Sequence, residues 1–278
     1  MPSKFVLLFI SLCALVLAGC GGGGTSTTSA SVSEIQANQL KYGQSTEFTI
    51  TGTLLENDIN VSIQNCKGLA LVAVGTSTSK TVACTISAVG TGAVSLEVKL
   101  VDGAVLKSVS FDVPNPHVKF ETNLGTMLVE LNPTVAPIST DNFLQYVNNK
   151  FYDNTIIHRI VTTGIFIAQG GWLTPTPSVQ PGQKSAITLE TNKGLSNLKG
   201  TLAMARGAEL NSATSQYFFN LADNTELDTA NGGYAVFGKF ISGTEVLDAI
   251  FSAKTTIAFG LTDLPASSII VKSVSQTK

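Results

Sequence analysis

The strongest constraint in this chain is a period of two. Along residues 33–113 apolar side chains alternate with polar ones. Phe48 and Ile50 alternate with Glu47 and Thr49, and Ile59, Val61 and Ile63 with Asn60, Ser62 and Gln64. Val94, Leu96, Val98 and Leu100 alternate with Ser95, Glu97 and Lys99, and Val109, Phe111 and Val113 repeat the pattern. A strand sends successive side chains to opposite faces, so this spacing builds sheets with one buried face; a helix cannot satisfy it. Gly52, Asn57-Asp58, Gly75, Gly90-Thr91-Gly92 and Asp102-Gly103 punctuate the runs. Short strands between such turns argue for a β-sandwich, immunoglobulin-like, over residues 34–113. Pro114-Asn115-Pro116 can continue neither a sheet ladder nor a helix, and marks a domain boundary.

Residues 117–278 keep the strand pattern and add helices. Asn123-Leu124-Gly125 separates two alternating runs as a hairpin turn. Residues 138–149 gather Phe143, Leu144 and Val147 on one helical face, and residues 244–253 gather Val246, Leu247, Ile250 and Phe251. Within this part, residues 157–171 carry one cation, Arg159, in an apolar run, then the neutral amide Gln169 before a glycine pair. Thr162-Thr163-Gly164 can turn the chain back, so two neighbouring strands would hold Arg159 and Gln169 near a shared apolar face. An arginine there donates directional hydrogen bonds without losing its charge. Taken alone, the same residue could instead snorkel to solvent. His158 precedes it and should face the other way.

Composition narrows the chemistry. Lysine and arginine number 17 against 19 acidic residues, which leaves no electrostatic footprint for nucleic acid. There are only 2 histidines, with no Cys-x-x-Cys pair and no His-Glu-x-x-His, so neither a metal site nor a cofactor is expected.

Three ordered blocks carry a resemblance. Ile157-His158-Arg159-Ile160-Val161 with Gln169-Gly170-Gly171 resembles the cyclophilin signature. Gly200-Thr201-Leu202-Ala203-Met204-Ala205-Arg206 followed by Ser212-Ala213-Thr214-Ser215-Gln216-Tyr217-Phe218-Phe219 is close to the family's second block. Gly233-Tyr234-Ala235-Val236-Phe237-Gly238-Lys239 fits the third. The resemblance spans residues 117–278 and is nearest to the bacterial periplasmic branch. It implies a closed β-barrel capped by two helices, and peptidyl-prolyl cis-trans isomerase activity on proline-containing polypeptides. It implies that Arg159 donates to the prolyl nitrogen and that Gln169 holds its guanidinium. Phe166, Ile167, Phe218, Leu227 and Tyr234 would form the slot for the proline ring. Ala205, Arg206 and Gly207 would offer backbone groups to an extended substrate, with Gln216 as a further polar clamp. The departures are specific. Two extra residues fall between Arg159 and Gln169, an insertion that preserves strand parity. Glu226 stands where the human cytosolic cyclophilin has a pocket tryptophan, and Tyr234 where it has a histidine. Trp172 replaces an aspartate after the glycine pair. A cyclophilin-fold chaperone or peptide-binding scaffold with little turnover is the alternative reading.

Residues 1–19 read as a signal: Lys4 precedes an apolar run too short for a final membrane anchor. The run ends in Leu17-Ala18-Gly19-Cys20, which resembles a bacterial lipobox. That implies cleavage before Cys20 and lipid on it, and Gly21 next to it implies the outer membrane, facing the periplasm of a Gram-negative bacterium. Residues 20–33 are rich in glycine, serine and threonine and read as a flexible tether. An exported chain meets an oxidising compartment, where Cys66 and Cys84 would pair and contribute about 3 kcal/mol on the chain-entropy view. Two separate buried thiols remain the alternative, since Cys84 shares the phase of Val82 and Ile86.

Overall fold

The computed structural model describes residues 29–56, 59–72 and 75–278; the signal segment, Cys20, the tether before Ser29 and the Asn57-Asp58 turn lie outside the described residues. The first half is built from β1 (Ser31–Ala37), β2 (Ser45–Thr53), β3 (Ile59–Gln64), β4 (Cys66–Leu71), β5 (Ser79–Ile86), β6 (Gly90–Leu100) and β7 (Val105–Val113). These make a four-stranded sheet in the order β1-β2-β5-β4 and a three-stranded sheet in the order β3-β6-β7. The alternating apolar residues meet between the sheets: Phe48, Ile50, Val82 and Ile86 from one, Val94, Leu96 and Val98 from the other, all buried. Phe48 and Phe111 close the contact, with ring centroids 5.5 Å apart. β1 begins at Ser31, so the sheet takes in three residues that composition alone assigns to the tether. Cys66 and Cys84 are joined by a disulfide between the neighbouring strands β4 and β5, with Cα atoms 5.5 Å apart.

The second half runs β8 (His117–Thr122), β9 (Thr126–Leu131), α1 (Pro137–Asn148), β10 (Thr155–Ile157), β11 (Arg159–Thr163), β12 (Ile165–Gly170), β13 (Thr201–Met204), β14 (Tyr217–Asn220), β15 (Val236–Ser242), α2 (Thr244–Phe251), β16 (Thr255–Ala258), β17 (Leu261–Pro265) and β18 (Ile269–Gln276). A nine-stranded sheet has the order β10-β18-β8-β9-β15-β13-β14-β12-β11. Its two end strands, β10 and β11, are separated in the chain by His158 alone. The sheet must therefore wrap until its ends nearly meet, giving an almost closed barrel with a seam at His158. The His158 N–H donates to the Gln169 carbonyl across that seam, at 2.9 Å.

Aromatic side chains fill the barrel. Phe120, Phe143, Tyr152, Tyr217, Phe219 and Phe237 are fully buried. Their rings pack mostly edge-on or tilted, with Phe143 stacked on Tyr152 at 5.0 Å between centroids; these are the arrangements that aromatic quadrupoles allow. The ring centroids of Phe120 and Phe219 lie 5.3 Å apart, and those of Tyr152 and Tyr217 also 5.3 Å. α1 buries Phe143, Leu144 and Val147 as its periodicity requires, and starts one residue early because Pro137 suits the first helical turn. Its first N–H groups are capped from a distance by a carboxylate, which suits the helix N-terminus. Glu190 accepts from the Ile138 backbone at 3.1 Å and from the Ser139 backbone at 2.7 Å. α2 buries Val246, Leu247 and Ile250.

The halves touch through α1 and β18. The Tyr42 hydroxyl donates to Asp141 at 2.6 Å, Gln44 donates to Asn148 and Gln276, both at 3.0 Å, and Gln276 returns a bond to the Tyr42 carbonyl at 3.0 Å.

Candidate active site

β11 and β12 form the hairpin that the Thr162-Thr163-Gly164 turn permits, with Gly164 at φ +80°. Its register sets Arg159 directly opposite Gln169 and Val161 opposite Ile167. Cross-strand partners project to the same face, so the two-residue insertion lengthens the hairpin without turning either side chain away. Arg159 Nη1 donates toward Gln169 Oε1 at 3.5 Å, and Gln169 Nε2 donates to Gln216 Oε1 at 2.8 Å. These three form a polar row along one wall. Gly171, at φ +84°, lets the strand leave this wall; a Cβ there would lie 2.6 Å from the Ser215 carbonyl. Only glycine meets both demands.

Below the row lies a cavity of about 150 Å³ lined by Arg159, Ile165, Ile167, Gln169, Ala205, Arg206, Phe218, Leu227 and Tyr234. Most of the expected residues therefore come together. Phe166 does not, and this corrects the resemblance-based assignment. Adjacent strand residues face opposite sides, so Ile167 and Phe166 cannot both enter one slot. Residues 165, 167 and 169 share the face of the cavity, and Ile165 occupies the wall instead. Phe166 turns to the core and meets Phe251 of α2, centroids 6.0 Å apart. The parity rule is enough to find Ile165.

The backbone of residues 205–207 is also more restricted than expected. The Ala205 N–H donates to the Gln216 carbonyl, the Gly207 N–H to Ser212, and the Gly207 carbonyl accepts from Arg206 Nη1. Among the described residues, Arg206 is the one of the three whose own N–H and C=O have no partner. The Arg206 side chain stacks over Tyr234, its central carbon 4.7 Å from the ring centroid, and donates to the Gly233 carbonyl at 3.0 and 3.2 Å. It ties two lips of the cavity together, a role its sequence context does not announce.

Two more residues support the site without a sequence signal. Asn224 clamps the start of β12, accepting from the Phe166 N–H at 2.8 Å and donating to its carbonyl at 2.9 Å. Asp228 anchors the short 3₁₀ turn carrying Leu227 by accepting from Ser196 and from Asn197. Partial burial works to raise the Asp228 pKa, but those hydrogen bonds outweigh it and hold it below the usual carboxylate value. Glu226, on the same turn, is exposed.

His158 is buried while Arg159 beside it reaches the cavity, the alternation expected of adjacent strand residues. Burial, and after it the Arg159 charge, pulls the imidazole pKa down to about 4, so it is neutral at ordinary pH. It packs edge-on against Trp172, ring centroids 5.3 Å apart. Among the described residues no group of three or more His, Cys, Asp or Glu side chains is placed to hold a metal ion, and no helix is long and apolar enough to cross a membrane.

Comparison with known proteins converges on this geometry. Residues 117–276 match the family described as cyclophilin type peptidyl-prolyl cis-trans isomerase/CLD, and residues 30–113 match the IPT/TIG domain. The chain is 43% identical over 161 residues to a peptidyl-prolyl cis-trans isomerase of Acinetobacter baylyi, covering 57% of this chain and 84% of the relative. A solved cyclophilin type peptidyl-prolyl cis-trans isomerase of Cryptosporidium parvum matches with a TM-score of 0.51 and 30% identity, over 59% of this chain and 98% of that one. A second structure of that protein, in the presence of the dipeptide Ala-Pro, matches with a TM-score of 0.50 and 28% identity, over 58% and 99% of the two chains. An N-terminal TIG-type β domain thus precedes a barrel matched both in sequence and in fold: the chain belongs to the cyclophilin family of peptidyl-prolyl cis-trans isomerases.

Proposed function

We propose that this chain accelerates X-Pro isomerisation in exported polypeptides and is held at a membrane by lipid on Cys20. The observation that carries the catalytic part is the register of β11 and β12, which opposes Arg159 and Gln169 on a cavity they share with the apolar side chains of Ile165, Ile167, Phe218 and Leu227. Rotation about a peptide bond is slow because the C–N bond has double-bond character, with a barrier of about 18–20 kcal/mol. Twisting the bond returns the lone pair to the prolyl nitrogen. A donor aimed there binds the twisted state better than either planar isomer, which is catalysis by selective transition-state binding. Arg159 is that donor, and Gln169 orients its guanidinium. Ile165, Ile167, Phe218, Leu227 and Tyr234 hold the ring, and the free Arg206 backbone groups pair with the extended chain on one side. The reaction needs neither nucleophile nor cofactor. The relative studied with Ala-Pro supports a proline-containing ligand.

The address rests on the Leu17-Ala18-Gly19-Cys20 segment. It favours an outer-membrane lipoprotein facing the periplasm, where the Cys66–Cys84 bridge would persist. A soluble form beginning near Thr25 should speed cis-trans exchange of a short X-Pro peptide. A rate equal to the uncatalysed one would leave the peptide-binding scaffold as the reading. Cys20→Ser should release the full-length protein from membranes; mass spectrometry finding Cys20 unmodified, or cleavage elsewhere, would reject the anchor.

A further inference from the structure

The hairpin of β16 and β17 stands outside the barrel sheet and leans on its seam. One face is anchored: Ala258, Leu261 and Leu264 join Ile156, Trp172 and Leu173 in a small apolar cluster. β17 also reaches the catalytic wall, with Asp263 Oδ2 3.7 Å from Arg159 Nε. The strand order runs from β13, which leads into Ala205, through β14 and β12 to β11. The hairpin therefore continues the site on the far side of Arg159 from the Arg206 backbone.

Its tip is unlike an ordinary turn. Ala258 pairs with Leu261, so Phe259 and Gly260 make a two-residue turn, with φ of +55° and +75°. Such turns favour asparagine, aspartate or glycine at both places, because a side chain pays sterically for the left-handed region. An aromatic residue there is disfavoured locally and gains nothing from burial, since Phe259 is 77% exposed, as is Ile257 on β16. Violations of local preference without internal compensation mark functional positions.

We propose that Ile257 and Phe259 form a second contact for the substrate polypeptide, gripping an apolar side chain some distance from the isomerised proline. This rests on the catalytic reading above. The substrate is the occupant because the hairpin is continuous with the site through Asp263 and Arg159. Phe259 precedes Asp263 by four residues, and because Phe259 and Gly260 form the turn and Asp263 also has φ +58° the segment spans less than the roughly 13 Å of four extended residues. An extended substrate covers that span in at most about four residues, so the gripped side chain sits about three to four residues from the proline. The contact turns a general isomerase into one that favours unfolded segments with apolar residues flanking X-Pro.

The test compares peptides of about twelve residues with a central Ala-Pro. One carries phenylalanine about four positions before the proline, one carries it about four positions after, and one has serine at both places. Trp172, the chain's one tryptophan, lies under the hairpin and reports binding by fluorescence independently of turnover. One phenylalanine peptide should bind roughly fivefold tighter than the serine peptide. In the double variant Ile257→Ser, Phe259→Ser the preference should vanish, while kcat/KM on a short X-Pro tetrapeptide stays at the unmodified value. Equal binding of all three peptides overturns the proposal, as does a preference that survives in the double variant. Concentration-dependent dimerisation abolished by the same substitutions also overturns it, assigning the tip to a second copy. No turnover of the tetrapeptide by the unmodified protein would refute the catalytic reading alone, and the fluorescence titration would still decide the tip.

Discussion

Both halves of this chain are antiparallel β structure, and they manage their edges in opposite ways. The sandwich leaves edges open. β4 lies at the end of its sheet and exposes Leu69 and Leu71, with Val72 just beyond, and a disulfide fastens it to β5. The barrel bends one sheet round until its ends nearly meet, filling the interior with interlocked aromatic rings. Closure has a structural consequence that the sandwich escapes. At the seam the chain passes from β10 to β11 through one residue, so a histidine is buried there and the next residue is turned to the cavity. The catalytic candidate Arg159 stands where the sheet meets itself. All residues lining the site come from the barrel. A joint can position chemistry; a staple only holds.

The largest effect should come from the seam. Arg159→Ala removes one preorganised donor, which typically costs about 2.7–4 kcal/mol of transition-state stabilisation, so kcat/KM should fall roughly a hundredfold to a thousandfold. Circular dichroism and thermal unfolding should be little changed, because the side chain is half exposed. Arg159→Lys should also be poor, since an ammonium cannot reproduce the planar fork facing Gln169. Next comes the staple. Replacing Cys66 and Cys84 by serine should lower the stability of the sandwich by about 3 kcal/mol and leave kcat/KM on a short peptide unchanged. Chemical denaturation followed by far-UV signal and by activity separates the two losses. Equal loss of activity in the cysteine variant would break the contrast between the halves.

How much of this is legible in the sequence follows from how local each signal is. Strand alternation in Phe48–Ile50 or Val94–Val98 depends on a few neighbours, and the structure keeps it. The same holds for the pairing of Arg159 with Gln169, because an even insertion keeps parity whatever the turn does. The Phe166 assignment fails because it carries a block residue by residue across that insertion without applying the same parity rule. Glu190 capping α1, Asn224 clamping Phe166 and Asp263 meeting Arg159 are not readable at all. Each joins residues far apart in the chain, and their approach exists only once the barrel has closed.

The seam also predicts an acid response that the sandwich should lack. His158 has a folded pKa of about 4 against an ordinary value of 6.5, chiefly because burial disfavours its charge. Its contribution is complete above pH 6.5. Below that, the unfolded chain takes up a proton that the folded barrel does not, so stability falls as pH drops and levels off only below about pH 4. Between about pH 6.5 and 5 the loss should be about 2 kcal/mol. His158→Gln should flatten that slope. A slope unchanged in the variant would mean that carboxylates elsewhere dominate the acid response.

The smallest effect concerns the contact between the halves, and it decides whether the contrast describes two independent bodies. Tyr42 belongs to the sandwich and is buried, yet its hydroxyl donates to Asp141 on α1 of the barrel at 2.6 Å. Burial first, and then the bond to Asp141, pushes the phenol pKa well above its ordinary value, so the hydroxyl keeps its proton and remains a donor throughout the physiological range. Asp141 is only partly buried. A neutral donor meeting a carboxylate is stronger than an ordinary hydrogen bond when desolvated, but that exposure brings the expected value to about 1 kcal/mol. Tyr42→Phe removes only the hydroxyl, leaving the ring to fill its site. A double-mutant cycle with Asp141→Ala cancels the separate costs of each change and isolates the bond. A coupling near about 1 kcal/mol in global unfolding would show that loosening the stapled half is felt by the half that holds the seam. A coupling indistinguishable from zero would mean that Gln44 and Gln276 hold the halves together without Tyr42, or that they unfold separately. A single coincident transition in the cysteine variant, followed by far-UV signal and by activity, separates those cases, because independent bodies would melt apart once the staple is gone.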